Sequence, residues 1–257
     1  MSARSDADPD KLLESPGTFS NMNEPLPTLL FCTSYMDSLE VWRRRYGYWV
    51  DYYENVPLTR SATFLIDDAS PYLPGDTRLA VVDDLAETPC PSPFHLYQFR
   101  DRLGRGSAEE GWPHWGWWRS FLFSLTIARR YGCRKIIHIE SDAYLLSQPI
   151  VDYLNRLDAG WTALWCPRHR MPEGAIQVIA EDQFPAMQHL AETDVRTHAA
   201  KGLAEHYLPF THIERGFVGN RYGEYRWTVP GYADFACQVD AAVTPVTFRG
   251  NTPSALV

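Results

Sequence analysis

The chain has 257 residues, 45% hydrophobic and 22% charged, with a formal net charge of −8. That balance argues against a protein that grips a nucleic-acid backbone, which needs a basic field. Small phosphorylated ligands stay open to it wherever a metal ion or local arginines supply positive charge. A chain of this length buries roughly three quarters of its unfolded surface, so folding needs no disulfide or metal staple.

The five cysteines (Cys32, Cys90, Cys133, Cys166, Cys237) are widely spaced and form no C-x-x-C pair. Neither a zinc knuckle nor a disulfide framework is suggested, and a reducing compartment fits them. Residues 1–26 read as a flexible leader rich in Ser, Asp, Pro and Asn, with no apolar segment of a secretory signal. No stretch approaches the ~20 apolar residues needed to cross a bilayer, and a cytoplasmic setting is expected. The main domain is read over 27–250, with 251–257 as a tail.

In chain order, Thr28 to Thr33 is a short continuous apolar run, the pattern of a strand covered on both faces. Ser38 to Glu54 predicts a helix with Leu39, Trp42, Tyr46, Trp49 and Val50 at helical spacing. Ser61 to Ile66 predicts a second buried strand that ends in Asp67-Asp68, and Arg78 to Val82 a third that ends in Asp83-Asp84. Residues 87–115 are rich in Pro and Gly and read as a long loop, a length more often functional than idle. Gly116 to Tyr131 predicts a helix with Trp118, Phe121, Leu122, Leu125 and Ala128 along one face and Gly132 as its C-cap. Lys135 to Ile139 is the next strand, so helix, capping glycine and strand form the crossover of a parallel sheet. Pro149 starts a helix through Leu157, Gly160 to Cys166 is a further strand, and helices are expected around 173–193 and 194–207. The whole is an α/β, Rossmann-type single domain with a mostly parallel central sheet flanked by helices.

In such sheets ligands bind outside the carboxyl ends of the strands, and three strands deliver acids there: Asp67-Asp68, Asp83-Asp84, and Glu140 with Asp142. Mg²⁺ or Mn²⁺ compensates such a gathering, taking one or two carboxylates and completing its shell with water and substrate phosphates. The plainer alternative is that Ser141 and Asp142 cap a helix and Asp67-Asp68 makes a turn.

Ile137-His138-Ile139-Glu140-Ser141-Asp142-Ala143-Tyr144-Leu145 resembles the metal-binding D-x-D segment of the GT-A fold glycosyltransferases, with Glu in place of the first Asp. Phe64 to Ser70 is similar to that fold's second strand, which often ends in Asp-Asp-Gly-Ser; here Ala69 stands where the glycine would be. Leu30 to Tyr35 and the Trp118-Arg119-Ser120 helix also match the family's layout, so the resemblance covers residues 28–166. It implies a GT-A-like domain with a nucleotide-binding half (27–145) and an acceptor-binding half (146–250). The reaction implied is hexosyl transfer from a nucleotide-diphosphate sugar to a carbohydrate or glycoconjugate acceptor, aided by Mn²⁺ or Mg²⁺, as in bacterial surface polysaccharide synthesis. On the family's pattern Asp142 is the direct metal ligand, and Glu140 meets the ribose or a metal-bound water beside Ser141. Asp67 or Asp68 holds the base or ribose, Arg119 reaches toward the diphosphate, and Thr33, Ser34 and Tyr35 contact the nucleotide.

An inverting enzyme also needs a carboxylate base for the acceptor hydroxyl. Glu181-Asp182 is the first candidate, although a solvated helix face explains that pair as well; Asp234 and Glu224 stand in reserve. A retaining enzyme needs no such base, and His212 is then a candidate extra metal ligand. Inverting is placed slightly ahead. Trp112, His114, Trp115, Trp117 and Trp118 cluster before the acidic strand and either fill the core or stack on a sugar. Arg168-His169-Arg170 either meets the leaving diphosphate or is a plain surface run. The rivals are a metal-dependent nucleotidyltransferase or phosphohydrolase acting on nucleotide sugars, and a non-catalytic carbohydrate-binding protein. The first of these usually carries a Gly-rich basic loop after strand one, which Cys32-Thr33-Ser34-Tyr35-Met36 lacks.

Overall fold

A computed structural model of the chain describes residues 25–82, 85, 93–107, 114–225 and 228–250. The expected leader up to residue 24, Cys90, Trp112 and the acid pair Asp83-Asp84 lie outside the described residues. An eight-stranded sheet runs in the order β3-β4-β2-β1-β5-β8-β7-β9, and β8 alone is antiparallel to its neighbours. The strands are β1 (Thr28–Ser34), β2 (Ala62–Asp67), β3 (Leu79–Val82), β4 (Phe94–Gln98), β5 (Lys135–Ile139), β7 (Trp161–Cys166), β8 (Met171–Ala180) and β9 (His212–Glu214). A small second sheet joins β6 (Tyr144–Leu145), β10 (Gly219–Asn220) and β11 (Phe235–Ala236). No helix among the described residues is long and apolar enough to cross a membrane.

The central strand β1 is buried along its whole length because both of its faces are covered. Leu29 and Phe31 pack with Phe121 and Leu125 of α3 (Trp115–Arg130); Leu30 and Cys32 pack with Trp49 and Tyr53 of α2 (Gly47–Asn55). This alternation is why the run reads as continuously apolar. The helix α3 ends as its sequence directs. Gly132 adopts φ +65°, and Cys133 N donates to Ala128 O at 2.8 Å to close the last turn. Pro149 sits in the first turn of α4 (Gln148–Arg156). At that helix's far end the Lys135 ammonium donates to Leu154 O at 3.2 Å and Asn155 O at 2.8 Å, satisfying two of its orphan carbonyls.

Four expectations change. The stretch 173–180 is strand β8, not helix, because its slot between β5 and β7 requires an extended chain buried on both faces; the run Ile176 to Ile179 suits that slot. Helix begins only at α5 (Phe184–Ala191). The expected 194–207 helix is two short pieces, α6 (Val195–Ala199) and a 3₁₀ turn at Ala204–His206, parted at Gly202 with φ +97°. The expected loop 87–115 contains β4, which inserts between β2 and β3, so the second and third strands of the sequence are not neighbours. Finally, the 38–54 helix is interrupted: α1 (Leu39–Val41), capped by the Ser38 hydroxyl, leads into a π-turn over Trp42–Tyr46 and then α2. An extra residue per turn shifts the helix phase, a device frequent at functional sites.

Candidate active site

Because β1 lies between β2 and β5, their carboxyl ends bring two groups of acids to either side of Thr33 and Ser34. On the β2 side, Asp67 is wholly buried. Its Oδ2 accepts from the hydroxyls of Ser34 (3.0 Å) and Ser70 (2.5 Å), and its Oδ1 from Ser70 N (2.7 Å) and Gln98 Nε2 (3.2 Å). Burial pushes this carboxyl up, the hydrogen bonds from Ser70, Gln98 and Ser34 pull it down, and the net is above the usual range. Asp68 accepts from Leu103 N at 3.2 Å, from Gly104 N at 2.7 Å and from Arg119. Arg119 also lies over the Phe99 ring, 3.9 Å from its centroid. Ala69, between this pair and Ser70, sits in the left-handed region at φ +58°, which accounts for the glycine that the resembling motif carries there.

On the β5 side, Glu140 is held from three directions. The Thr33 hydroxyl lies 2.9 and 3.0 Å from its two oxygens, His138 Nε2 lies 2.9 Å from Oε1, and the Trp117 indole N–H donates to the same oxygen. Burial alone would raise this carboxyl; His138, Arg45 and Trp117 outweigh it and hold the group below its usual range. His138 is itself buried and stacked on Phe31 at 4.7 Å. Arg45 then reaches in from the π-turn. Its Nε donates to the Ser141 hydroxyl and its Nη2 to Asp142 Oδ2 at 3.0 Å. Burial lifts the Asp142 carboxyl, Arg45 opposes that and Glu140 reinforces it, leaving the group above its usual range. Of the four acids, Asp142 and Glu140 are the two that are partly exposed, and Asp142 is the one that lines a cleft. Its side chain is 18% exposed and, with Arg45, it lines a cleft of about 370 Å³ closed by Ser38, Arg44, Gln238 and Asp240.

Of the other expected site residues, some brace these acids and others lie elsewhere. Thr33 and Ser34 turn their hydroxyls onto Glu140 and Asp67, and Tyr35 is held by its backbone N–H to the Tyr46 hydroxyl at 3.0 Å. Arg119 is taken up by Asp68 and by Asp101 O at 2.7 Å. Glu181 and Asp182 follow the carboxyl end of antiparallel β8, which lies beside Lys135 at the amino end of β5, on the opposite edge of the sheet from Asp142. There Glu181 pairs with Arg134 at 2.7 Å and Asp182 accepts from Gly160 N at 2.9 Å. The run was expected inside a helix, and the antiparallel strand is what carries it away from the cleft. His212 stands on the edge strand β9, three strands from β5, or roughly 14 Å at ~4.8 Å per strand, and meets only Glu214 at 3.4 Å. Asp234 braces a turn, accepting from Ser147 Oγ at 2.6 Å and Val218 N at 2.9 Å. Glu224 lies 2.6 Å from His169 Nε2 and 3.5 Å from Arg221.

The expected direct metal ligand, Asp142, is paired with Arg45, so an ion that takes one or two carboxylates and completes its shell with water and phosphates has to displace that guanidinium to reach it. Among the described residues no group of three or more His, Cys, Asp or Glu side chains could hold a metal ion. Glu140 Oε1 takes the contacts of His138 and Trp117 while Oε2 meets the Thr33 hydroxyl, Asp142 is paired with Arg45, and His212 is remote. The sequence reading missed Arg45. Its only sequence signal is the run Arg43-Arg44-Arg45, which on a regular helix reads as a solvated face.

Neither a family model nor a curated protein matches the chain. Among solved structures it is similar to a glycosyltransferase involved in the glycosylation of the major capsid of PBCV-1, at 9% identity and a TM-score of 0.43, over 84% of this chain and 97% of that one. A likeness so weak carries no argument about activity or about any residue.

Proposed function

We propose that this protein is a glycosyltransferase that moves a hexosyl group from a nucleoside-diphosphate sugar to a carbohydrate or glycoconjugate acceptor, in cytoplasmic synthesis of a bacterial surface polysaccharide. The observation that carries the reading is the corner formed by Glu140-Ser141-Asp142 and Arg45 at the carboxyl edge of a mostly parallel sheet, open to a cleft. Charge of both signs at one opening suits a diphosphate on one side and sugar hydroxyls on the other. The D-x-D-like segment lends the same reading its family resemblance. In the inverting route the acceptor oxygen bonds to the anomeric carbon as the bond from that carbon to the diphosphate oxygen breaks. The hydroxyl proton goes to a carboxylate base, and the nucleoside diphosphate leaves.

Among the described residues, four of the tryptophans that could have stacked on a sugar are taken up by packing. Trp49, Trp118 and Trp161 are buried, and Trp117 stacks on Phe121 at 4.8 Å and 7°. A thermal-shift panel of UDP, GDP, TDP and ADP, each with and without Mn²⁺, tests the proposal. Stabilisation by one of them, reduced in Asp142→Ala, is the expected result; no shift with any would overturn it.

A further inference from the structure

Resting on the glycosyltransferase reading, we infer that Arg45, rather than a divalent cation, is the positive charge that receives the donor's diphosphate at the Glu140-Ser141-Asp142 corner, so that donor binding needs no metal. Four observations carry this. First, Arg45 holds Ser141 and Asp142 through its Nε and Nη2 edge. A guanidinium has five N–H donors, so its Nη1 edge keeps donors for another acceptor. Second, the side chain is 46% exposed and lines the cleft together with Asp142. Third, three other arginines of the region are held by carboxylates. Arg119 is held by Asp68, Arg221 by Glu173 and Glu205 at 2.8 and 2.6 Å, and Arg44 by Asp240 and Glu40 at 2.5 and 3.2 Å. Fourth, Asp142, the carboxylate expected to meet a metal directly, already has Arg45 as its counter-charge at 3.0 Å.

The fork on Ser141 and Asp142 would fix the guanidinium plane, and a planar fork suits two phosphate oxygens where a point charge does not. The π-turn at Trp42–Tyr46 anchors the residue, since Tyr46 is tied to the backbone of Tyr35.

The test is isothermal titration of UDP and of GDP into the full chain after dialysis against EDTA, repeated with Mn²⁺. The expected result is binding of one nucleotide in EDTA, with an affinity changed less than about threefold by Mn²⁺. Arg45→Gln is expected to weaken it by about tenfold or more, and Arg45→Lys by less, the usual scale for a lost charged hydrogen-bonding group. Binding that appears only with Mn²⁺ overturns the inference and leaves the glycosyltransferase reading standing, as does unchanged affinity in Arg45→Gln. Binding of neither nucleotide under either condition overturns both. The wild-type comparison decides between metal and arginine even where a variant folds poorly.

Discussion

The two acidic strand ends flanking β1 look alike in sequence, each closing an apolar strand with a pair of carboxylates, yet they differ in what surrounds the charge. Asp67 and Asp68 are enclosed by seven donor groups drawn from Ser34, Ser70, Gln98, Leu103, Gly104 and Arg119, with Ser70 giving two. Those bonds tie β2 to β1, to the carboxyl end of β4 and to the helix α3, so that end works as a joint. At the β5 end Glu140 and Asp142 are both partly exposed, and Asp142 meets one arginine and the cleft. The lesson is that acids at a sheet edge are not evidence of a ligand until their donors have been counted. An enclosed carboxylate holds the fold; a half-open one is free to meet something else.

The largest expected effect separates the two ends outright. Asp67→Ala strips three buried donors and the part-buried Gln98 amide of this acceptor and should cost about 2–4 kcal/mol in urea unfolding. Asp142→Ala should cost less, about 1 kcal/mol, while weakening nucleotide binding by releasing one arm of the Arg45 fork. Equal losses at both sites would erase the distinction between joint and ligand site. Next in size is Gly116→Ala, whose added methyl would overlap the Asp68 carboxylate. Although alanine favours helix by up to ~1 kcal/mol, the overpacking should dominate and destabilise by about 1–3 kcal/mol in thermal unfolding.

A third test uses pH. The Asp67 carboxyl sits above its ordinary value of 3.8, so this group favours the folded state most below 3.8, and that contribution fades as pH rises through the raised value. The Glu140 carboxyl sits below its ordinary 4.5, so its contribution is present above 4.5 and lost as pH falls through the lowered value. Chemical denaturation between pH 3 and 7 should therefore show a steeper acid loss in Asp67→Asn and a shallower one in Glu140→Gln; slopes that move the same way would break the comparison. The smallest effect runs in the stabilising direction. Ala69→Gly relieves a left-handed alanine at φ +58° and, after the glycine's extra unfolded-state freedom, should gain up to ~1 kcal/mol.

Much of this could be read from the chain. The strand β5 falls on Lys135–Ile139 as expected, and α3 ends where Gly132 dictates, because apolar periodicity and caps are local signals. The strand β8 was not legible, since a short apolar run is compatible with helix or strand until its neighbours are known. Misreading it also misplaced Glu181 and Asp182, because strand direction decides which edge of the sheet they reach. The strand β4 was hidden among prolines and glycines. Arg45 was invisible for a different reason: its partner lies 97 residues away and the π-turn that aims it leaves no periodic trace.

The sequence by itself determined that β1 and β2 are buried strands in an α/β fold, and that acids close β2 and follow β5. Those features depend on side-chain chemistry within a few residues. Only the tertiary structure decided that the acids after β2 are enclosed and those after β5 partly open, because hydrogen-bond donors arrive from β1, β4, α3 and the π-turn across distances that no local pattern encodes.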